Sequence, residues 1–180
     1  MKKKVCNLLL AKNNVEEYGV FSGYASVFNT IDCQNDIIKP GAFSDTIKTG
    51  KKIMFLWQHN KNEPIGKIIS MIEDTFGLYI TVKLILEIKK AKEAYLMIKK
   101  GIINSLSIGY QVVNYYIDKN SDLRIIKKID LWEISLVTFP SNIHAQITNI
   151  KNTSEEKQLK ILNSYITKAL FILKNLNIQS

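Results

Sequence analysis

Between residues 18 and 139, apolar residues recur in runs of strand length, each closed by glycine, proline, asparagine or aspartate, and one longer stretch alone switches to helical spacing. The runs are YGVFSGYASVFN (18–29), KKIMFLWQH (51–59), the two halves of IGKIISMIEDTFGLYITVKLIL (65–86), NSLSIGYQVVNYYI (104–117) and LRIIKKIDLWEISLVTF (123–139). β-Branched and aromatic side chains fill them, as pleated, half-buried surfaces favour. The pattern predicts a mainly β fold with one or two helices, an α+β domain built on a small barrel or curved sheet. Gly23 predicts a bend or bulge in the first run. The near-continuous apolar run 51–59 reads as a strand buried on both faces, NKNEP as the loop after it, and 74–77 as a turn.

Two segments read as helices. EIKKAKEAYLMIKKG (87–101) places Ile88, Ala91, Ala94 or Tyr95, and Ile98 at steps of three to four, with Gly101 as the stop. SDTIKTG (44–50) reads as a short helix capped by Ser44 and ended by Gly50. The stretch between 30 and 43 is rich in turn formers, broken at Pro40-Gly41. After residue 150 the character changes. NIKNTSEEKQ (149–158) is polar and linker-like, Thr153 and Glu156 have capping-box spacing, and Leu159, Leu162, Ile166, Leu170, Leu173 and Ile178 mark an amphipathic helix. The expected division is a domain over 1–150 and a helical tail over 151–180. The opening MKKKVCNLLLAKNN reads as a first strand, because Asn7 interrupts its apolar core and no cleavage signature follows.

A chain of 180 residues can bury a core without staples, and 46% hydrophobic with 23% charged residues is a globular balance. No apolar run reaches the ~18–20 residues that span a membrane. Cys6 and Cys33 have neither disulfide-framework nor zinc-site spacing, which fits a reducing compartment. The net charge is +9, yet the lysines are scattered and Arg124 is the only arginine. Base readers depend on arginine forks, so the charge does not point to sequence-specific nucleic-acid binding.

Chemistry has few places to reside. Of the two histidines, His59 and His144, His59 ends an apolar strand, where an imidazole can be held rigidly with one nitrogen exposed to take a proton. Glu133 lies between Trp132 and Ile134 in an apolar strand; a carboxylate buried there needs a partner, while one turned outward is simply solvated. Ser105 and Ser107 share a strand face, so either is a candidate nucleophile and both are equally small strand fillers. A GxSxG elbow is absent, since Ser105 stands where its first glycine would be. Asp32 and Asp36 could be metal ligands, but Cys33 alone accompanies them, so neither a metal nor another cofactor is expected.

Six blocks in order carry a resemblance: FSGYASVFN, DxxxDIIKPGAF, LWQHN…PIGK, GLYI, LSIGY and WEISLVTFPSN…A. Over roughly residues 18–147 the chain resembles the prohead maturation proteases of tailed bacteriophages. That resemblance implies a serine endopeptidase of the assemblin-like fold shared with herpesvirus maturation proteases, a closed or nearly closed β-barrel surrounded by helices. It implies His59 as general base, Ser107 rather than Ser105 as nucleophile, and Glu133 as the group that orients His59; His144 matches no catalytic position. It further implies action inside the immature capsid in the bacterial cytoplasm, with the major capsid protein or a scaffold protein as substrate, and self-association; the scattered charge and short apolar runs add the expectation of no specific nucleic acid and no membrane partner. The polar 149–158 stretch is then the expected self-cleavage region, which would remove the tail. A relative that kept the fold as a scaffold-binding domain and lost catalysis is the alternative, against which the presence of all three residues argues.

Overall fold

The computed structural model describes residues 19–150 together with Leu162, Tyr165 and Ile166. The strand-length runs become β1 (Val20–Val27), β3 (Met54–Trp57), β4 (Asn60–Glu73), β5 (Gly77–Leu84), β6 (Ser105–Ile117) and β7 (Arg124–Val137), joined by two short strands, β2 (Asp36–Ile38) and β8 (Ile147–Ile150). Helix α1 spans Ser44–Thr49 and α2 spans Lys89–Lys99. A mainly β domain with few helices is therefore what forms.

The strands make one mixed sheet in the order β2-β7-β3-β4-β5-β1-β8, with β6 on the other side of β7. β7 is long enough to serve two neighbours along one edge: its start pairs in parallel with β2 and its end in parallel with β3. Its opposite edge pairs antiparallel with β6. The sheet is not closed, which corrects the closed form of the expected closed or nearly closed barrel. β6 meets the β8 end through an isolated pairing of Ser105 with Gln146, flanked by Leu106 N–H to Ala145 O at 2.8 Å and Ile147 N–H to Asn104 O at 2.8 Å. Past Leu106 the pairing stops because the residues before Ala145 form a turn, with Ala145 N–H on Asn142 O at 3.0 Å.

The core lies between these strands and α2. Phe21, Phe55, Ile65, Leu78, Ile80, Leu106, Leu131 and Ile134 are buried almost completely, each worth about 1.5–3 kcal/mol of apolar transfer. The predicted face of α2 is buried through Ala91, Ala94, Tyr95 and Ile98, but Ile88 is the extended N-cap residue and is exposed. Phe21 meets Phe55 edge to face with ring centroids 5.7 Å apart.

Several local expectations change. Ser44 is not the cap of α1: Phe43 holds that position without a side-chain cap, and Ser44 Oγ instead donates to Glu73 Oε2 at 3.1 Å. Gly50 does end the helix, at φ 62° with its N–H on Ile47 O. The segment NKNEP is not a loop but the start of β4, because Trp57 pairs directly with Asn60 and the extra residues bulge within the ladder. The strand in 51–59 is shorter than its apolar run, with Met54 exposed at its start. Gly23 sits at the expected irregularity, where a Cβ would come within 2.3 Å of Gln146 O.

The chain divides into two units, Tyr18–Lys151 and a second made of Met1–Glu17 with Asn152–Ser180. The expected N-terminal strand, the Thr153/Glu156 capping box and most of the C-terminal helix lie outside the described residues; Leu162, Tyr165 and Ile166 are helical and exposed. Among the described residues no helix is long and apolar enough to cross a membrane.

Candidate active site

The pairing of Trp57 with Asn60 leaves Gln58 and His59 as a two-residue turn between β3 and β4. Both have positive φ, 52° and 59°. Such turns ordinarily use Asn-Gly, and a side chain in this region costs on the order of 1–2 kcal/mol per residue. The turn is held in that conformation by the end of β7. Gln58 N–H donates to Leu136 O at 3.0 Å. Its side-chain amide donates to Thr138 Oγ1 at 2.8 Å and accepts from Thr138 N–H at 3.2 Å. His59 N–H donates to Ser135 Oγ at 3.1 Å. The strained turn thus aims an imidazole back over β7.

Its target is Glu133. His59 Nδ1 lies 2.7 Å from Glu133 Oε1, and Ser135 Oγ donates to Glu133 Oε2 at 2.5 Å. Both carboxylate oxygens are therefore engaged. The side chain of Glu133 is 14% exposed and that of His59 is 45% exposed. The hydrogen bond to Glu133 raises the His59 pKa above its ordinary value; burial opposes this and the carboxylate charge adds to it. With Nδ1–H donated to the carboxylate, Nε2 is the nitrogen left to accept a proton.

Strand β6 completes the face. Ser107 is directly opposite Ser135, and Gly109 directly opposite Glu133. Opposed residues of an antiparallel pair point to the same side, with Cα atoms about 4.5–5.5 Å apart, so Ser107 shares the side on which Ser135 and Glu133 lie. Ser107 is 5% exposed, and none of the described residues hydrogen-bonds its hydroxyl. At Gly109 a side chain would displace Glu133: a Cβ there would stand 2.2 Å from Glu133 Oε1.

The remaining candidates go elsewhere. Ser105 is opposite Val137, two positions from Ser107 on the same face, with Oγ 3.4 Å from Asn104 Oδ1. His144 is exposed in the loop before β8 and its N–H donates to Asn142 Oδ1. Asp36 is 1% exposed and takes Arg124 bidentately, Nε to Oδ1 at 2.6 Å and Nη2 to Oδ2 at 2.5 Å. Asp32 Oδ1 accepts the N–H groups of Gln34 and Asp36, and burial pushes its carboxyl pKa up. The two aspartates thus clasp β2 and its turn to β7. Burial, with Asp36 close by, raises the Tyr110 hydroxyl above the usual phenol range. A cavity of about 40 Å³ is lined by Ser26, Asp32, Asp36, Ser107 and Tyr110 among others. Among the described residues Ser26 Oγ is buried without a partner, and a cavity of that size and polarity has room for a water.

Sequence reasoning did not single out Ser135, Gly109 or Gln58. Ser135 carries the same signal that drew attention to Ser105 and Ser107, a hydroxyl in an apolar strand, two residues from Glu133 on the same face. Gly109 and Gln58 have no local signal, because what they do depends on distant residues.

A profile described as caudovirus prohead serine protease matches residues 8–160. The chain is 33% identical over 162 residues to the prohead protease of Enterobacteria phage HK97, covering 87% of this chain and 71% of that protein. It is 32% identical over 150 residues to the capsid polyprotein of Pseudomonas phage PAJU2, covering 79% of this chain but 22% of the polyprotein. The prohead protease of Escherichia phage T5 is 32% identical over 94 residues, 51% of this chain and 43% of that one. Among solved structures, the bacteriophage T4 capsid assembly protease gp21 aligns with TM-score 0.52 at 11% identity, covering 66% of this chain and 81% of that chain, a likeness of fold. Varicella-zoster virus protease aligns with TM-score 0.47 at 14% identity, over 72% of this chain and 62% of that chain.

Proposed function

This chain belongs to the caudovirus prohead serine protease family, and from that premise we propose that it is a serine endopeptidase of phage-head maturation in which Ser107 is the nucleophile, His59 the general base and Glu133 the group that orients His59. The observation that carries the reading is the 2.7 Å contact between His59 Nδ1 and Glu133 Oε1 on the strand face that Ser107 shares.

In this mechanism Ser107 Oγ attacks the scissile carbonyl carbon and its proton passes to His59 Nε2. The carbonyl π pair moves to oxygen, giving a tetrahedral oxyanion that N–H donors must stabilise. Collapse of that intermediate breaks the C–N bond, the leaving amine takes the proton from Nε2, and an acyl ester remains on Ser107. Water, deprotonated by His59, attacks the ester, and Ser107 recovers its proton as the new carboxylate leaves. Throughout, Glu133 keeps Nδ1 protonated and stabilises the imidazolium. Catalytic hydrogen bonds commonly tighten only with substrate bound, so the reading does not require Ser107 Oγ to be bonded beforehand. No cofactor enters.

The proposed substrates are scaffold or major-capsid-protein segments inside the immature head, in the host cytoplasm, with the chain's own 149–158 stretch as a further cleavage region and self-association at that place. The relatives named prohead protease and capsid polyprotein support this assignment. A fluorophosphonate probe tests the chemistry: it should label wild type and Ser105→Ala but not Ser107→Ala. Absence of label on wild type would sink the assignment. Intact mass after co-expression with a capsid protein from the same genome tests the substrate. Wild type should shorten the capsid protein and itself, and Ser107→Ala neither; a full-length enzyme beside a cut capsid protein would exclude self-cleavage.

A further inference from the structure

The β6 run NSLSIGYQVVNYYI contains no charged residue, in a chain that is 23% charged and carries a net charge of +9. In the fold, one edge of β6 pairs with β7 and the other is almost bare among the described residues. The pairing on that second edge stops at Leu106, whose N–H turns away from β7 to reach Ala145 O. Backbone groups alternate along a strand, so the N–H and C=O of Ile108 turn to the same edge. The first free groups therefore lie one residue past Ser107. Farther along, Val113, Tyr115, Tyr116 and Ile117 are 55%, 53%, 46% and 45% exposed. From β7, Arg124 lies 5.9 Å from the Tyr115 ring and Lys127 lies 4.7 Å from the Tyr116 ring.

Edge strands are normally blunted by charge, proline, brevity or bulges. This one has thirteen residues and its sequence supplies neither charge nor proline, while its pairing with β7 shifts register between Val112 and Asn114 and between Asn114 and Tyr115. A bare, uncharged, aromatic and β-branched edge is a template for an added strand. We infer that the outer stretch of β6, Gln111–Ile117, is a ledge on which the substrate adds as an antiparallel strand, and that it selects an uncharged segment rich in β-branched and aromatic residues on the N-terminal side of the scissile bond. The inference rests on Ser107 as nucleophile, because the position of the segment is measured from it.

The direction and distance follow from the strand. β6 runs away from Ser107 toward Ile117, so an antiparallel partner enters over Ile117 and arrives at Ser107. Its residues over Gln111–Ile117 lie about four to ten positions before the cleaved bond, roughly 13–33 Å from it at strand rise. A second copy of this chain is a poor occupant. Stable interfaces use about 20–30 residues a side, and the stretch Gln111–Ile117 falls far short of that. A substrate strand needs no more, since its affinity is shared with the cleavage site at the head of the same edge.

Profiling of a proteome-derived peptide library tests the ledge, with the fluorophosphonate labelling rate as control. Wild-type cleavage products should be enriched in uncharged β-branched and aromatic residues four to ten positions before the cut. Val113→Lys, and the double variant Val113→Lys/Tyr115→Lys, should lose that enrichment. They should cleave peptides with ten residues before the cut about tenfold less efficiently, and cleave peptides with three residues before it as wild type does. Labelling of Ser107 should be unchanged. A labelled wild type whose products show no such segment overturns the ledge alone, as does enrichment that survives in both variants. A labelled wild-type dimer that the lysines convert to monomer assigns the edge to a second copy and overturns it too. A wild type that the probe does not label sinks the Ser107 reading and the ledge together.

Discussion

The Glu133 carboxylate occupies the space that a side chain on Gly109 would need, and the two cannot coexist at 2.2 Å. Gly109→Ala should therefore push Glu133 off His59 while leaving both strands paired. The expected result is a fall of about 100-fold in kcat, the scale of a 1 Å misplacement, with KM nearly unchanged. The His59 pKa, read by imidazole NMR, should drop toward the ordinary value. Retention of the raised pKa in the alanine variant would show that the carboxylate had found another path. The same contact sets a pH dependence. In the proposed mechanism His59 must be neutral to accept the Ser107 proton, so activity should rise with pH through a midpoint above the ordinary imidazole value of about 6.5. Glu133→Gln should move that midpoint down. The effect on stability has the opposite sense. A pKa raised in the folded state stabilises fully below the unfolded value and loses its contribution as pH rises through the folded one. Hydrolysis rates across pH 5–9 would test the first statement, and denaturant midpoints of wild type and Glu133→Gln the second.

Two elements hold the site in place by contacts that run along the whole length of β7. At its end, the Gln58–His59 turn is hydrogen-bonded to Ser135, Leu136 and Thr138. At its start, Asp36 of β2 is locked to Arg124. Asp36 is buried, so removing its partner strands a carboxylate out of water. Arg124→Ala should cost about 3–5 kcal/mol, visible as a lowered denaturant midpoint, and Arg124→Lys should recover little because an ammonium cannot make the fork. A midpoint unchanged in Arg124→Ala would mean that water reaches Asp36 freely. On the proposals above the β6–β7 pair does two jobs: its inner registers set Ser107 and Glu133 on one face, and its outer edge is the ledge.

For the molecule as a whole, one continuous core supports both jobs. Phe55 is fully buried on β3, in contact with Phe21 of β1 across the core. Phe55→Ala should cost about 3–5 kcal/mol, a large share of the 5–15 kcal/mol that holds a domain folded. Because β3 leads directly into the His59 turn, labelling of Ser107 should weaken in the same variant at temperatures where the protein is still mostly folded. Parallel measurement of chemical denaturation and probe labelling would check this; labelling that stays at the wild-type rate up to the unfolding transition would show the turn to be held by β7 alone. The open sheet matters here as well. A closed ladder would have covered the second edge of β6, and past Leu106 the edge is bare because the residues before Ala145 turn away, with Ala145 N–H on Asn142 O at 3.0 Å.

What the amino-acid order decided alone is the part of the structure governed by neighbours in the chain. Strand-length apolar runs, their turns, the buried stripe of α2 and the Gly50 and Gly101 stops were all readable, since a strand or helix period is a local property. The residue types able to do hydrolysis were readable too, and the family resemblance joined His59, Ser107 and Glu133 into one expectation. Alternation alone could not choose between Ser105 and Ser107, because both project from the same face. The tertiary structure decided the rest. β2 and β8 exist only because β7 and β1 pair with them, β4 starts at Asn60 only because Trp57 pairs with it, and the sheet is open because of where its ends meet. Ser135, Gly109 and Gln58 acquired their roles from partners tens of residues away. Long-range pairing is set by the total burial and hydrogen bonding of the folded chain, and no short window of sequence contains it.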